Sequence, residues 1–206
     1  MKVLSKFVPT EPFYVLVSGG IDSISIAHWL KYSYYKTFKI VHFNHNVQPI
    51  NVKMEESVKR FCGEHNIECL SFLNEEYGCF TQNDLRKWRL AEMAKIKGNF
   101  VTGHHLNDAV ENYLANCITG TPEYKPITEL TQFYDFAIYH PFITTAKKDM
   151  AAYVDKNDLS QYIVEDPSNA KSKYRRNWIR NVIIPELDSR DVGIETVVKR
   201  KFYTYD

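Results

Sequence analysis

The chain has 206 residues, 44% hydrophobic and 25% charged, with a net charge of +1. That is ordinary for a globular chain able to bury a core, and the near-neutral total does not by itself mark a nucleic-acid binder. No apolar run approaches the length of a membrane span, and Met1 to Pro12 has no signal-peptide character, so the expectation is a cytoplasmic protein without a membrane partner. Cys62, Cys69, Cys79 and Cys117 are irregularly spaced with no C-x-x-C pair, which predicts reduced thiols and no zinc or iron–sulfur site.

Phe13 to Val17 is a short apolar run fit for a buried strand. Ser18-Gly19-Gly20-Ile21-Asp22-Ser23 follows, and Ser23 is expected to cap a helix carrying Ile24, Ala27 and Leu30 on one side. A strand, a glycine turn and a helix start leave backbone N–H groups pointing outward, which attracts phosphate. The glycines permit positive φ and the two serines add hydroxyl donors. Asp22 would repel a bare phosphate, so it points to a metal ion or a polarised substrate group beside the loop. The Gly-Lys-Ser/Thr ending of the general phosphate-binding loop is absent.

Further along, Phe38 to Phe43 and Ile67 to Phe72 read as strands, with a helix over 51–65 between them. Asn74 to Phe80 reads as a loop and Thr81 to Lys97 as a long helix. Phe100 to Thr102 forms a strand opening onto Gly103-His104-His105, and Asp108 to Cys117 is helical. Such alternation predicts a doubly wound, mostly parallel α/β sheet with helices on both faces. Ligands of such sheets sit outside the carboxyl ends of the strands, so the Ser18 loop, His42–His45 and Gly103–Asp108 are placed to converge. Beyond Gly120 the pattern weakens. Tyr134 to Tyr139 is a candidate strand, Thr145 to Lys156 a helix, Asp166-Pro167-Ser168-Asn169 a turn, and Trp178 to Ile184 a short helix halted by Pro185. The last ten residues are expected to be loosely ordered.

Asp108 and Glu111, three apart at a helix start, share one face. They can hold Mg²⁺, bind an ammonium group and take its proton, or simply complement the helix dipole. His104 and His105 lack the spacing of a metal site. Arg86 and Arg89 lie three apart on one helix. Lys171, Lys173, Arg175, Arg176 and Arg180, with Lys199, Arg200 and Lys201, offer a local basic face.

The Ser18–Ser23 wording resembles the pyrophosphate loop of ATP pyrophosphatases, of the adenine nucleotide alpha hydrolase-like fold. With His42-Phe43-Asn44-His45, His104-His105-x-x-Asp108-x-x-Glu111, Glu165-Asp166-Pro167-Ser168-Asn169 and Tyr174-Arg175-Arg176-Asn177-Trp178-Ile179-Arg180 running to Ile184-Pro185, the chain is similar to the tRNA(Ile)-lysidine synthetase family. The resemblance implies one domain over 1–206, with an α/β core to about 144 and a mostly helical extension from about 145. It implies ATP and Mg²⁺ as cofactors, and the isoleucine tRNA with a CAU anticodon and free lysine as partners; the oligomeric state stays open. The wobble cytidine O2 would attack the α-phosphate of ATP, and the lysine ε-amine would then displace AMP at C2. Ser18, Gly19, Gly20, Asp22 and Ser23 would bind ATP, with Phe43, His45 and Gly103 beside it and Asp22 on the metal. Asp22, Arg86, Asp108 and Glu111 would be catalytic. Arg86, Arg89, His105, Asp108, Glu111, Arg175, Arg176, Asn177 and Arg180 would hold substrates.

The chain departs from the family pattern at Gln82, Leu85 and Leu90 around the arginine pair, and at Asn107, Ala109 and Asn112 near the acids. Family members generally carry further C-terminal domains, so a short form is expected. A tRNA sulfurtransferase on the same fold and a non-catalytic, ATP-responsive tRNA binder are the alternatives; the missing C-x-x-C weighs against the first and the intact acids against the second.

Overall fold

Val15 and Val17 pack into one apolar cluster while Tyr14 and Leu16 pack into another, the period-two alternation of a strand buried on both faces. The computed structural model describes residues 1, 3–75, 81–120, 124–167 and 175–203. The strands are β1 (Tyr14–Leu16), β2 (Lys39–Asn44), β3 (Cys69–Leu73), β4 (Gly98–Val101), β5 (Leu130–Gln132) and β6 (Phe136–Tyr139). They form one sheet in the order β3-β2-β1-β4-β6-β5, parallel throughout except for the β5–β6 pair. The predicted doubly wound, mostly parallel sheet is therefore present. Strand order reverses at β1, whose neighbours are β2 and β4, and this opens a crevice at their carboxyl ends.

Helices α1 (Ile21–Tyr32), α2 (Ile50–Glu64) and α5 (Lys147–Lys156) cover one face, where Ile24, Phe61 and Met150 meet Val15 and Ile40. Helix α3 (Gln82–Ile96) covers the other, with Met93 against Val41 and Phe100. Its start is sharp because Thr81 and Asp84 cap each other reciprocally: Asp84 N–H donates to Thr81 Oγ1 at 3.2 Å and Thr81 N–H to Asp84 Oδ2 at 3.0 Å. Helix α4 (Leu106–Thr119) packs into a third cluster with a π-helical turn (Ile179–Ile183), α7 (Ile184–Ser189) and α8 (Ile194–Phe202), and α6 (Arg175–Trp178) leads into that turn. Ile179, Ile184, Ile194 and Val198 are buried there against Leu106, Ala109 and Val110.

Three local expectations are corrected, and one strand is added. Helix α1 begins at Ile21 with Gly20 at the cap position, because Ser23 lies inside its first turn. Pro185 does not halt a helix: it sits in the first turn of α7, just where the π-helical turn passes into it. The C-terminal stretch is not loose through Phe202, since α8 buries Ile194 and Val198. The edge strand β5 has too little apolar patterning to be read from sequence. The Ser168–Asn169 part of the expected turn, Lys171, Lys173, Tyr174 and Cys79 lie outside the described residues.

Glu55 fastens the β2 end of the crevice. Its carboxylate receives Asn44 Nδ2 at 2.6 Å, Ser71 Oγ at 2.7 Å and Lys59 Nζ at 2.7 Å, joining β2, β3 and α2. Burial pushes its pKa up, but these three partners prevail and bring it from 4.5 to about 2. A depressed carboxylate stabilises the fold above its unfolded pKa and loses that contribution as pH falls through the folded value. Glu55→Gln should therefore lower the melting temperature at neutral pH, with the gap to wild type closing between pH 4.5 and about 2. Thermal melts across that range check this; a gap independent of pH would assign the effect to packing.

Candidate active site

The loop between β1 and α1 is braced from within. Ser18 N–H donates to Ser23 Oγ at 3.1 Å, and Ser23 Oγ–H donates to Gly20 O at 3.0 Å. Ser23 is thus committed to the loop's shape, while Ser18 is exposed and keeps its hydroxyl at the surface. Gly19 has φ of +91°, and a Cβ there would lie 3.4 Å from the Met54 carbonyl oxygen. A Cβ on Gly103, just past β4, would stand 3.4 Å from the backbone of Asp22 and Ser23, at van der Waals contact, so β4's end packs directly against the start of α1. The first-turn N–H groups of α1 have no intrahelical acceptor and face outward with the dipole's positive end. This arrangement fits an oxyanion.

Asp22 stands at that helix start, and its Oδ1 is buried without a hydrogen bond. His105 Nε2 lies 3.4 Å from it and 3.6 Å from Asp108 Oδ2, so the imidazole bridges loop and α4 by charge rather than by a formed hydrogen bond. Burial alone would lower the His105 pKa, but interaction with Asp22 and the charge of Asp108 outweigh it and the value is raised. One carboxylate beside a phosphate-binding loop is the donor set Mg²⁺ commonly uses, the substrate phosphates completing it. The residues present fit that ion.

Asp108 and Glu111 are brought together on the buried side of α4, with Glu111 only 1% exposed. Asp108 Oδ2 accepts the His105 N–H at 3.0 Å, while Oδ1 receives Arg176 Nη2 at 2.5 Å. Glu111 is gripped from two sides: Arg180 donates Nε to Oε1 at 2.6 Å and Nη2 to Oε2 at 2.9 Å, and Arg176 donates Nε to Oε2 at 2.6 Å. Burial raises the Asp108 pKa, yet His105, His104 and Arg176 hold it down at about 2. Arg176 and Arg180, read from sequence as substrate contacts, are thus ion-pair partners of the acids. Arg175 is exposed and Asn177 half-buried.

A cavity of about 490 Å³ opens beside this network, lined by Asp108, Glu111 and Arg176 from one side and by Arg86 and Arg89 of α3 from the other. Its floor carries two groups that sequence reasoning missed. Thr102 Oγ1 lies 2.7 Å from His104 Nδ1 and 2.6 Å from His140 Nδ1, so one hydroxyl ties two imidazoles together. Burial, then His104, pushes the His140 pKa down to about 3, so the ring is neutral. His140 follows β6 directly, and the rule that ligands gather at strand carboxyl ends is the signal that could have found it. Phe43 and His45 stand at the β2 end beside Trp88, with ring centroids 5.6 and 5.7 Å from it. Burial, then Arg89, lowers His45 to about 4.

The family model for the PP-loop domain matches residues 1–187. The tRNA(Ile)-lysidine synthase of Aster yellows witches'-broom phytoplasma (strain AYWB) is 28% identical over 209 residues, 97% of this chain and 47% of the relative. That of Buchnera aphidicola subsp. Acyrthosiphon pisum (strain APS) is 28% identical over 204 residues, 92% and 44%. The chain spans about half the length of the curated relatives it matches. Among solved structures, the U34-tRNA thiolase NcsA from Methanococcus maripaludis superposes with a TM-score of 0.74 at 16% identity, covering 92% of this chain and 70% of its own; the likeness is one of fold. No helix among the described residues is long and apolar enough to cross a membrane.

Removing one member of a buried ion pair leaves the other desolvated and unpaired. Arg180→Ala should therefore cost about 3 kcal/mol of stability, since Glu111 loses its two-point partner. Arg176→Ala should cost less, because that side chain is 53% exposed against 27% for Arg180. Urea denaturation of the two variants gives the comparison, and equal losses would contradict this ranking.

Proposed function

The chain belongs to the PP-loop domain family, and from that membership we propose that it is an ATP-dependent carbon–nitrogen ligase that modifies a tRNA wobble cytidine with lysine. In this reading the cytidine O2 attacks the α-phosphorus of ATP and pyrophosphate leaves. The lysine ε-amine then attacks C2, AMP departs with the oxygen, and the nitrogen loses a proton. The observation that carries the reading is the adjacency of an oxyanion loop, Ser18–Ser23, to a buried acid pair, Asp108 and Glu111, through the single bridge of His105. Adenylation needs the first and amine transfer needs the second.

The loop amides and Ser18 hold the triphosphate, and Asp22 holds Mg²⁺, which when bound offsets charge on the leaving pyrophosphate. Asp108 and Glu111 receive the ε-ammonium and take its proton, since the amine attacks only with a free lone pair. Asp108, with its carboxyl held ionised, is ready to bind the cation. Arg86 and Arg89 sit across the cavity, where a guanidinium pair can fix the nucleotide's phosphates. Phe43, His45 and Gly103 complete the nucleotide side, and Arg175 and Asn177 offer outer contacts to RNA. Sulfur transfer is less well served: Cys69 opens β3 at its amino end, pairing with Ile40, and Cys62 is buried in the core of that region, both away from the loop.

Incubating the chain with ATP, lysine and the CAU-anticodon isoleucine tRNA, followed by nucleoside mass analysis, should show lysine joined to cytidine; unmodified cytidine with intact ATP would refute the reading. Asp22→Ala should lose pyrophosphate release altogether. Asp108→Asn should instead spare adenylation and slow transfer, so that adenylated RNA accumulates and the lysine requirement rises. Loss of adenylation in Asp108→Asn would move that residue to the metal.

A further inference from the structure

The acid pair is already neutralised. Asp108 and Glu111 carry two negative charges and Arg176 and Arg180 two positive ones, while His105 is set against Asp22. As it stands the group offers no net attraction to an incoming ammonium, although the amine-transfer reading requires one to bind there.

The two arginines differ in a way that resolves this. Arg180 forms a two-point fork on Glu111, at 2.6 and 2.9 Å, with its Nη2 a more distant 3.7 Å from Asp108 Oδ1, and its side chain is 27% exposed. Arg176 reaches across to both acids, with Nη2 on Asp108 Oδ1 and Nε on Glu111 Oε2, and its side chain is 53% exposed on the cavity wall. Arg180 is therefore the built-in counter-ion of Glu111, and Arg176 is the outer, exchangeable one. Withdrawing Arg176 leaves Asp108, Glu111 and Arg180 with one net negative charge, frees Asp108 Oδ1 of its hydrogen-bond donor and relieves Glu111 Oε2 of one of its two. That is the requirement of a single primary ammonium.

We propose that Arg176 is a resident competitor for the ammonium subsite, and that an RNA phosphate draws it away, so that lysine binds only after RNA. The inference rests on the amine-transfer reading above. A guanidinium makes a planar fork with carboxylates and sheds its hydration more readily than an ammonium, so free lysine does not displace it unaided. A phosphate accepts the same fork, which makes RNA backbone a suitable exchange partner. The order has a chemical use: no amine occupies the site before RNA is bound, so lysine is not held beside ATP when there is no cytidine to modify.

Equilibrium dialysis of labelled lysine against the full chain, with and without an RNA hairpin carrying the CAU anticodon loop, tests this directly. Wild type should bind lysine about tenfold more tightly when the hairpin is present. Arg176→Gln should bind lysine tightly without RNA and gain little from adding it, an increase that misfolding cannot produce. Arg176→Lys, which keeps a cation over the acids, should remain RNA-dependent. Equal lysine affinity with and without RNA in wild type, or no gain in Arg176→Gln, overturns the inference while leaving nucleoside modification intact. Absence of lysine binding under every condition, RNA and ATP included, overturns the amine-transfer reading beneath it as well.

Discussion

A carboxylate that is 1% exposed cannot stand without partners, and much of the chain after β6 serves to supply them for Glu111. The partners are 65 and 69 residues away in sequence, so they must be carried back to α4 by a separate piece of structure. The cluster of Ile179, Ile184, Ile194 and Val198 against Leu106 and Val110 supplies the apolar burial that holds that piece in place. The π-helical turn from Ile179 to Ile183 runs between Arg176 and α7, with Arg180 inside it. Extra-wide turns of this kind often mark functional positions, and here the turn presents the guanidinium that forks on Glu111.

The same constraint ties the two halves of the proposed chemistry together. The Ser18 loop rises from β1 and the acid pair from the helix after β4, and these strands are neighbours at the point where strand order reverses. Gly103 keeps their ends within contact distance, and His105 spans the remaining gap by charge. A Cβ at 103 would already meet the backbone of Asp22 and Ser23 at 3.4 Å, so a bulky side chain there would press on the start of α1. The site's precision therefore depends on backbone approach as much as on the charged side chains.

What could be read from the sequence was what is decided locally. The apolar run 13–17, its glycine turn and the strand–helix alternation to Gly120 are set by periodicity and turn chemistry over a few residues, and the doubly wound sheet follows from them. Misreadings arose where tertiary packing overrides a local rule. Pro185 looks like a stop signal, but it falls in a helix's first turn, where proline is tolerated. The tail looked unanchored because the partners of Ile194 and Val198 lie on α4. Arg176 and Arg180 look like an RNA-binding run because a basic cluster reads as solvated until its acidic partners, far away in sequence, are placed beside it. His140 and Thr102 escaped notice because neither stands in a spaced motif; they meet only through the β4–β6 pairing.

Asn107 illustrates how a departure from the family pattern becomes intelligible once packing is known. The resemblance places an acid frequently at this position, and a substrate contact would be the first thought. Here Asn107 Nδ2 donates to Glu195 Oε1 at 2.9 Å, and its Oδ1 accepts the Lys147 N–H at 2.9 Å. One amide thus joins the start of α4 to the start of α5 and to the first turn of α8. A carboxylate at 107 could still accept from Lys147, but it has no proton to give Glu195, and two carboxylates at that distance repel. Asparagine at 107 and glutamate at 195 are therefore a matched pair. They fix α8 across the back of α4, and α4 in turn presents Asp108 and Glu111 to the cavity. The substitution alters the support of the acid pair and leaves the chemistry the pair can perform unchanged.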